Sequence, residues 1–234
     1  MKIALLGYGK MGKVIEQIAL ARGHEIVLKK SSQDIFSGLE NADVAVDFSI
    51  PSSAIENISE CLGRGIPIVS GTTGWLDNYD KMVALCNDKN GAFIYSSNFS
   101  LGVNLFFELN NHLSKMMLRF NQYQVSMEEI HHTQKLDAPS GTAISLANDI
   151  IKKYNYSNWT LETPKADELK IDAKRIENVP GTHSVFYTSD VDTIEIKHTA
   201  HSRDGFALGA VIAAEWISNK NGVFTMKDVM LSVV

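Results

Sequence analysis

Two periods of apolar residues alternate along the first hundred positions. Lys2 to Leu6, His24 to Lys29, Ala42 to Phe48, Ile66 to Ser70 and Ala92 to Tyr95 are short apolar runs that read as strands. Between them Val14, Ile15, Ile18 and Ala19 recur at helical spacing, and Pro51 to Gly63 and Trp75 to Asn87 have the same character. Strand and helix in alternation predict a parallel sheet covered on both faces. Gly102 to Leu118 then predicts one long helix, with Val103, Leu105, Phe106, Leu109, Leu113, Met116 and Met117 on its apolar side. After it the pattern changes. Tyr123 to His131 alternates as a half-buried strand, a helix is expected from about Pro139 to Tyr154, and Tyr154 to Glu168 reads as a polar surface loop. LKIDAKRI from Leu169, a Pro180-Gly181 turn, HSVFYTS from His183 and DTIEIKHTA from Asp192 make the rest strand-rich, and one helix on one side of such a sheet is an α+β arrangement. Asp204 to Ser218 returns to helix with a broad apolar stripe suited to packing back on the first region. The expected fold class is α/β, with a parallel-sheet domain from 1–102 and 203–234 and a smaller α+β domain from 103–202.

The first strand stops at Gly7-Tyr8-Gly9-Lys10-Met11-Gly12 and a helix follows. Glycines between a strand and a helix allow a tight turn, let a pyrophosphate approach the helix N-terminus, and permit close helix–strand packing. The pattern alone also fits a plain glycine turn; its place after the first strand favours a Rossmann-type nucleotide domain. In such a unit the second strand ends at the adenosine ribose, where NAD selects an acidic residue. Lys29, Lys30, Ser31 and Ser32 stand there instead, with no Asp or Glu between Val27 and Gln33. Lys29 and Lys30 suit the 2′-phosphate of NADPH, which is the expected cofactor with NADH as the alternative; a solvated basic loop has the same appearance. The later strands bring Phe48-Ser49, Gly71-Thr72-Thr73 and Ser96-Ser97-Asn98-Phe99 to the carboxyl edge of the sheet, where ligands bind in open α/β folds. Thr72 and Thr73 equally fit a helix cap, and Phe99 a core position.

Composition narrows the classes. At 234 residues, 44% hydrophobic, the chain has ample core for one large or two modest domains. A net charge of −5 argues against non-specific nucleic-acid or anionic-lipid binding, so an acidic ligand must be held locally. Met1 runs directly into a strand and Ala207 to Ile217 is too short to span a bilayer, so a cytoplasmic location and no membrane partner are expected. Cys61 and Cys86 lack a C-x-x-C partner and read as reduced, buried thiols.

Ionisable groups concentrate between Glu128 and Ala147, in EEIHHTQKLDAPSGTAISLA. Two adjacent histidines, Lys135 and Asp137 precede Pro139-Ser140-Gly141-Thr142 and an apolar-periodic helix. The free N–H groups of a helix start attract carboxylate or phosphate, Gly141 allows close approach, and Lys135 adds a positive charge. His131 and His132 point to opposite faces of a strand, which disfavours a shared zinc, and no spaced Cys or His set accompanies them; no metal is expected.

The run His131-His132-x-x-Lys135-x-Asp137-Ala138-Pro139-Ser140-Gly141-Thr142-Ala143 resembles the signature of dihydrodipicolinate reductases. GTTG from Gly71, SNFSLGVN from Ser97 to Asn104, VPGTHSV from Val179 and HSRDGFALGA from His201 extend the resemblance over nearly the whole chain. The family's glycine loop usually reads G-x-x-G-R-M-G, one residue longer; Lys10-Met11-Gly12 matches its second half. The resemblance implies a nicotinamide-dependent reduction of 4-hydroxy-tetrahydrodipicolinate in the diaminopimelate and lysine pathway, with a hydride passing to a conjugated cyclic imine and a proton following. It implies His131 as general acid, Lys135 as second donor or electrostatic partner, and His132, Gly141, Thr142 and Arg203 around a substrate carboxylate. Gly71 to Thr73 and Ser96 to Phe99 would line the nicotinamide side. Each has a plainer reading, His131 as a structural histidine, Asp137 as a loop anchor and Arg203 as a surface ion-pairing residue. A homotetramer assembled through the second domain's sheet is expected, on the reasoning that one helix leaves an apolar face uncovered. Rival readings are another amino- or imino-acid dehydrogenase and a nucleotide sensor without turnover; a sensor has no need of a proton donor beside a carboxylate clamp.

Overall fold

The computed structural model describes residues 1–31, 35–202 and 204–231. The chain divides into two compact units, Met1–Leu101 with Asp204–Val234, and Gly102–Arg203.

The first unit is built on a parallel sheet of six strands, β1 (Lys2–Leu6), β2 (Glu25–Lys30), β3 (Val44–Asp47), β4 (Ile68–Ser70), β5 (Ala92–Tyr95) and β11 (Gly222–Phe224), in the order β11-β5-β4-β3-β1-β2. Alternation along β1, which is flanked by β3 and β2, shows how the sheet is covered on both faces. Ile3 and Leu5 enter one core with helices α1 (Lys10–Ala21) and α6 (Asp204–Ile217), whereas Ala4 and Leu6 enter a second core with α2 (Pro51–Gly63) and α3 (Tyr79–Asp88). A strand buried on both faces reads as a continuous apolar run, which is what LysIleAlaLeuLeu provides after its first residue. Gly209 lets α6 lie close to the chain after β5: a Cβ there would stand 1.7 Å from the Phe99 carbonyl oxygen. Because strand order reverses between β1 and β3, the loops after these two strands flank the crevice where open α/β sheets bind ligands.

The second unit is a mixed sheet in the order β10-β9-β6-β8-β7, formed by β6 (Gln124–His131), β7 (Asn158–Thr160), β8 (Glu168–Arg175), β9 (Gly181–Thr188) and β10 (Thr193–Ala200). Val125, Met127, Leu169, Ile171, Val185 and Tyr187 form its core with α5 (Gly141–Tyr154).

Three features depart from the pattern-based expectation. The stretch read as a surface loop contains β7, paired in parallel with the edge of β8. Two helices, not one, cover the sheet, because α4 (Leu101–Met117) contributes Phe106 and Met117 to the same core and Asn110 Nδ2 donates to the Leu146 carbonyl. The opposite face is not apolar either: Ser126, Glu128, Ser184, Glu195 and Lys197 alternate onto it, with Ser184 Oγ donating to Glu195 at 3.1 Å. Beyond α6, β11 and α7 (Met226–Leu231) complete the first unit without having shown a periodic signal. Among the described residues no helix is long and apolar enough to cross a membrane.

Candidate active site

In the first unit the glycine turn is shaped by the neighbouring loop. Gly7 has φ +102°, and a Cβ on it would fall 2.2 Å from the Phe48 carbonyl oxygen; one on Gly12 would fall 2.4 Å from the Gly7 carbonyl oxygen. Gly7 and Tyr8 donate their N–H groups to the Lys30 carbonyl at 2.9 and 3.1 Å, so β1 and β2 close the turn together. Gly9, the residue before α1, has open space where its Cβ would be. The result is a cavity of about 320 Å³ lined by Gly7, Tyr8, Gly9, Lys30, Ser31, Phe48, Ser49, Ile50, Ser53 and Asn57. Its size and position fit part of a dinucleotide, with an uncovered helix start to meet phosphate. Lys10 is exposed at that helix start, and the Met11 side chain packs into the core.

The two lysines differ from a solvated loop. Both lie inside β2. Lys29 Nζ is paired with Glu16 at 2.5 Å and lies 5.1 Å from the centre of the Tyr8 ring, while Tyr8 donates its hydroxyl proton to the same carboxylate. Lys30 is only 4% exposed, its ammonium 4.6 Å from the centre of the Phe36 ring, and it lines the cavity. Residues 32–34 lie outside the described set, Ser32 among them.

The other carboxyl-edge loops are braced rather than loose. Gly71 makes room for the Phe48 ring, which a Cβ would approach to 2.3 Å. Thr72 caps no helix: its Oγ1 accepts the Ser49 N–H at 2.8 Å and its carbonyl accepts the Trp75 indole at 2.6 Å. Thr73 is exposed. Ser96 Oγ donates to the Asn98 carbonyl at 2.7 Å, Ser97 is exposed, and Asn98 Oδ1 accepts the Ser100 N–H at 2.9 Å. The Phe99 ring, 1% exposed, belongs to the core and lies 5.8 Å from Phe48. Pattern reading overlooked the organiser of these loops. Buried Asp47 accepts from Ser49 Oγ, Asn57 Nδ2 and Ser70 Oγ at 2.6, 2.8 and 2.7 Å.

In the second unit β6 alternates strictly, so Glu129 and His131 follow Val125 and Met127 onto the covered face. Register sets their neighbours: Glu129 stands opposite His183 on β9, and His131 opposite Arg175 on β8. Glu129 is fully buried. Its Oε1 receives Arg175 Nη2 at 3.1 Å, its Oε2 accepts the Ser140 N–H at 3.0 Å, and His131 Nδ1 and His183 Nε2 lie 3.4 and 3.8 Å from Oε2. Ser140 also caps α5, accepting the Ala143 N–H at 3.2 Å, and its hydroxyl is 3.0 Å from His183 Nε2. A buried carboxylate of this kind is stable only when paired and hydrogen-bonded. Arg175 extends the network to the loop, donating to the carbonyls of Lys135 at 3.3 Å and Asp137 at 2.6 Å, and Lys135 Nζ bonds both Asp137 oxygens at 2.8 Å.

Burial pushes against the charge of Glu129, but the Ser140 hydrogen bonds, Arg175 and His131 outweigh it and hold the carboxyl below its ordinary range. Burial lowers His131, with Glu129 opposing. Burial and the neighbouring His131 bring His183 down to about 4. Asp137 is held low by its hydrogen bond from Lys135. Donor atoms of Glu129, His131 and His183 lie within 4.8 Å of one another, a composition that also suits a divalent cation. Here, however, the carboxylate is already compensated by the Arg175 guanidinium, against which such an ion would stand.

The structure therefore joins His131 and the Lys135 loop through Arg175. His132 is elsewhere, lining a cavity of about 610 Å³ with Thr133, Gln134, Glu177, Asn178, Val179, Pro180 and Ser202. Gly141 begins α5 with open space where its Cβ would be, and Thr142 is half-buried in the first turn. Arg203 lies outside the described residues. Glu129, Arg175 and His183 were missed from the sequence, although the i, i+2 spacing of Glu129 and His131 on an alternating strand carried a signal.

Comparison with known proteins places both units in one family. Residues 1–99 match the family model described as dihydrodipicolinate reductase, N-terminus, and residues 102–230 the one described as dihydrodipicolinate reductase, C-terminus. The chain is 55% identical over 233 residues to the 4-hydroxy-tetrahydrodipicolinate reductase of Christiangramia forsetii, covering 98% of each. It is 35% identical over 232 residues to that of Thermosipho africanus, again covering 98% of each. The solved structure of dipicolinate-bound dihydrodipicolinate reductase from Paenisporosarcina sp. TG-14 shares the fold at a TM-score of 0.77 and 21% identity, over 96% of this chain and 97% of that one.

Proposed function

The chain belongs to the dihydrodipicolinate reductase family, and we infer from that membership that it reduces 4-hydroxy-tetrahydrodipicolinate to tetrahydrodipicolinate with NAD(P)H, in diaminopimelate and lysine biosynthesis. The observation that best supports the chemistry is the buried Glu129–His131 pair beside the Lys135 loop and the open start of α5. Bound nicotinamide supplies the hydride. The protein's own part is to hold the two ligands and to place a proton. Gly9 and Lys10, at the start of α1, would offer backbone N–H groups to the pyrophosphate, with Gly7, Tyr8 and Gly12 shaping the turn that presents them and Met11 supporting it from the core. Phe48, Gly71 to Thr73 and Ser96 to Asn98 would border the nicotinamide, and Phe99 would contribute by its backbone. The N–H groups of Gly141 and Thr142 would take one substrate carboxylate, joined by Lys135 on exchange of Asp137 for the ligand, with His132 and Arg203 as further carboxylate partners. His131 would deliver the proton that balances the hydride. Mixing the protein with substrate freshly generated by the preceding synthase and following NADPH absorbance tests class and substrate together. Unchanged absorbance with an active synthase present would sink the reading.

We further propose that NADPH is preferred over NADH and that Lys30 accounts for it. Lys29 is engaged by Glu16, whereas Lys30 lies on the cavity wall. An ammonium shielded from water pairs more strongly with a 2′-phosphate than an exposed one, so a preference of about tenfold in kcat/KM, ~1.4 kcal/mol, is expected. Lys30→Ala should abolish it by raising KM for NADPH alone, and Lys29→Ala should leave most of it. Equal use of NADH by the unaltered protein at low salt would refute the assignment.

The homotetramer expected from the sequence is also proposed, on different grounds from an apolar sheet face. In the second unit Leu105, Leu109 and Met116 of α4 are 57%, 49% and 54% exposed, and Leu118 and Phe120 continue the patch. Light scattering at micromolar concentration should report four chains; a monomer would contradict this.

A further inference from the structure

The imidazole of His131 has two unlike sides. Its Nδ1 is buried, without a hydrogen bond to any other group among the described residues, and faces Glu129 Oε2 at 3.4 Å. On the other side stands Gly181, the first residue of β9, where a Cβ would come 3.1 Å from Nε2 and 3.3 Å from Cδ2. Gly181 is not among the glycines with positive φ, so its backbone does not require glycine. The missing side chain instead keeps the Nε2 edge of the ring clear of a contact that a Cβ would make. Glu129 is meanwhile fixed from both ends, by Arg175 on Oε1 and by the Ser140 N–H on Oε2. Such a carboxylate cannot turn away from the ring without abandoning a buried guanidinium or a helix cap.

We propose that Glu129 is the positioning residue of His131: its carboxylate takes the Nδ1–H, so that Nε2, bare on the Gly181 side, is the nitrogen that carries and releases the proton. This rests on the reading of His131 as the proton donor. In the step, the imidazolium gives its Nε2 proton to the reduced substrate, the ring becomes neutral with Nδ1–H still on Glu129, and solvent restores Nε2–H. The carboxylate thus selects the tautomer and favours the charged ring before transfer. Charged and titratable groups facing the ring are Glu129 from β6, Arg175 from β8, His183 from β9, and Lys135 and Asp137 from the loop. Glu129 and Asp137 favour the imidazolium, while burial, Lys135 and Arg175 oppose it. Removing the negative charge of Glu129 therefore makes the ring lose its proton at lower pH. Activity that needs the protonated ring falls as pH rises through that point, so the alkaline limb must move to lower pH.

Two experiments test this. Nitrogen-15 NMR of histidine-labelled intact protein, with the His131 signals assigned by their loss in His131→Gln, should show the neutral ring as the Nδ1–H tautomer; the Nε2–H tautomer would overturn the proposal. In Glu129→Gln the alkaline limb of kcat against pH should shift down by on the order of one pH unit with KM for NADPH unchanged. A loss equal at all pH values would mean a packing defect and count against it. Should that variant not fold, Gly181→Ala carries the kinetic test, because its methyl covers Nε2 without touching Glu129. A fall in kcat of about tenfold or more at unchanged thermal midpoint is expected, and wild-type kcat would overturn the assignment of Nε2. Wild-type turnover in His131→Gln would refute the proton-donor reading itself, and the NMR result would still decide the tautomer.

Discussion

Replacing His131 with Gln is expected to lower turnover at pH 7 by roughly 10²–10⁴ while leaving the fold and the affinity for NADPH unchanged. The glutamine amide is close in size to the imidazole and can still face Glu129, so the buried cluster keeps its packing; what it cannot do is give up a proton near neutral pH. His131 belongs to the second unit and the glycine turn that would hold the nucleotide to the first, so cofactor affinity should not respond. Stopped-flow or steady-state NADPH oxidation measures the first effect, and fluorescence titration with NADPH the second. Near wild-type kcat would remove the proton-donor role. Lys135→Ala should also impair turnover, and the double variant should fall short of the product of the single losses if both side chains serve one transition state.

Gly7→Ala should damage both stability and cofactor binding. The added Cβ would meet the Phe48 carbonyl oxygen at 2.2 Å, its carbon at 2.4 Å and Ser49 Cα at 2.7 Å, all backbone atoms that no rotamer change can move. The backbone at φ +102° is in addition unfavourable for any L side chain. Overpacking typically costs about 1–3 kcal/mol, and the left-handed conformation about 1–2 more, so the thermal midpoint should fall by on the order of 5–15 °C. Phe48, Ser49 and Lys30 line the same cavity as Gly7, so the displacement should also raise KM for NADPH by about tenfold or more. Gly9→Ala separates the two effects. No atom lies within 4 Å of its added Cβ, so the midpoint should hold while NADPH affinity drops. A Gly7→Ala protein with an unchanged midpoint and KM would refute the role of this close approach.

Sequence by itself determined most of the elements, because strand and helix periods are local properties of a few consecutive residues. β1, β5 and α2 begin and end where the apolar pattern does. It likewise exposed His131 and Lys135, since a histidine pair and a lysine before a helix start are unusual in one short run. What tertiary structure decided depended on residues far apart. β11 and β7 are three-residue strands that exist because β5 and β8 present open edges to them, and nothing within three residues announces a partner. Lys29 and Lys30 are neighbours in sequence, yet Glu16 engages one and Phe36 shelters the other, which separates their roles. The environment of His131 was decided the same way. Glu129 meets His183, and His131 meets Arg175, only because β6 lies between β9 and β8, whose partner residues follow 54 and 44 positions later in the chain. The i, i+2 alternation of β6 could turn Glu129 and His131 to one face. Sheet order and register alone could supply the guanidinium that makes a buried carboxylate there stable.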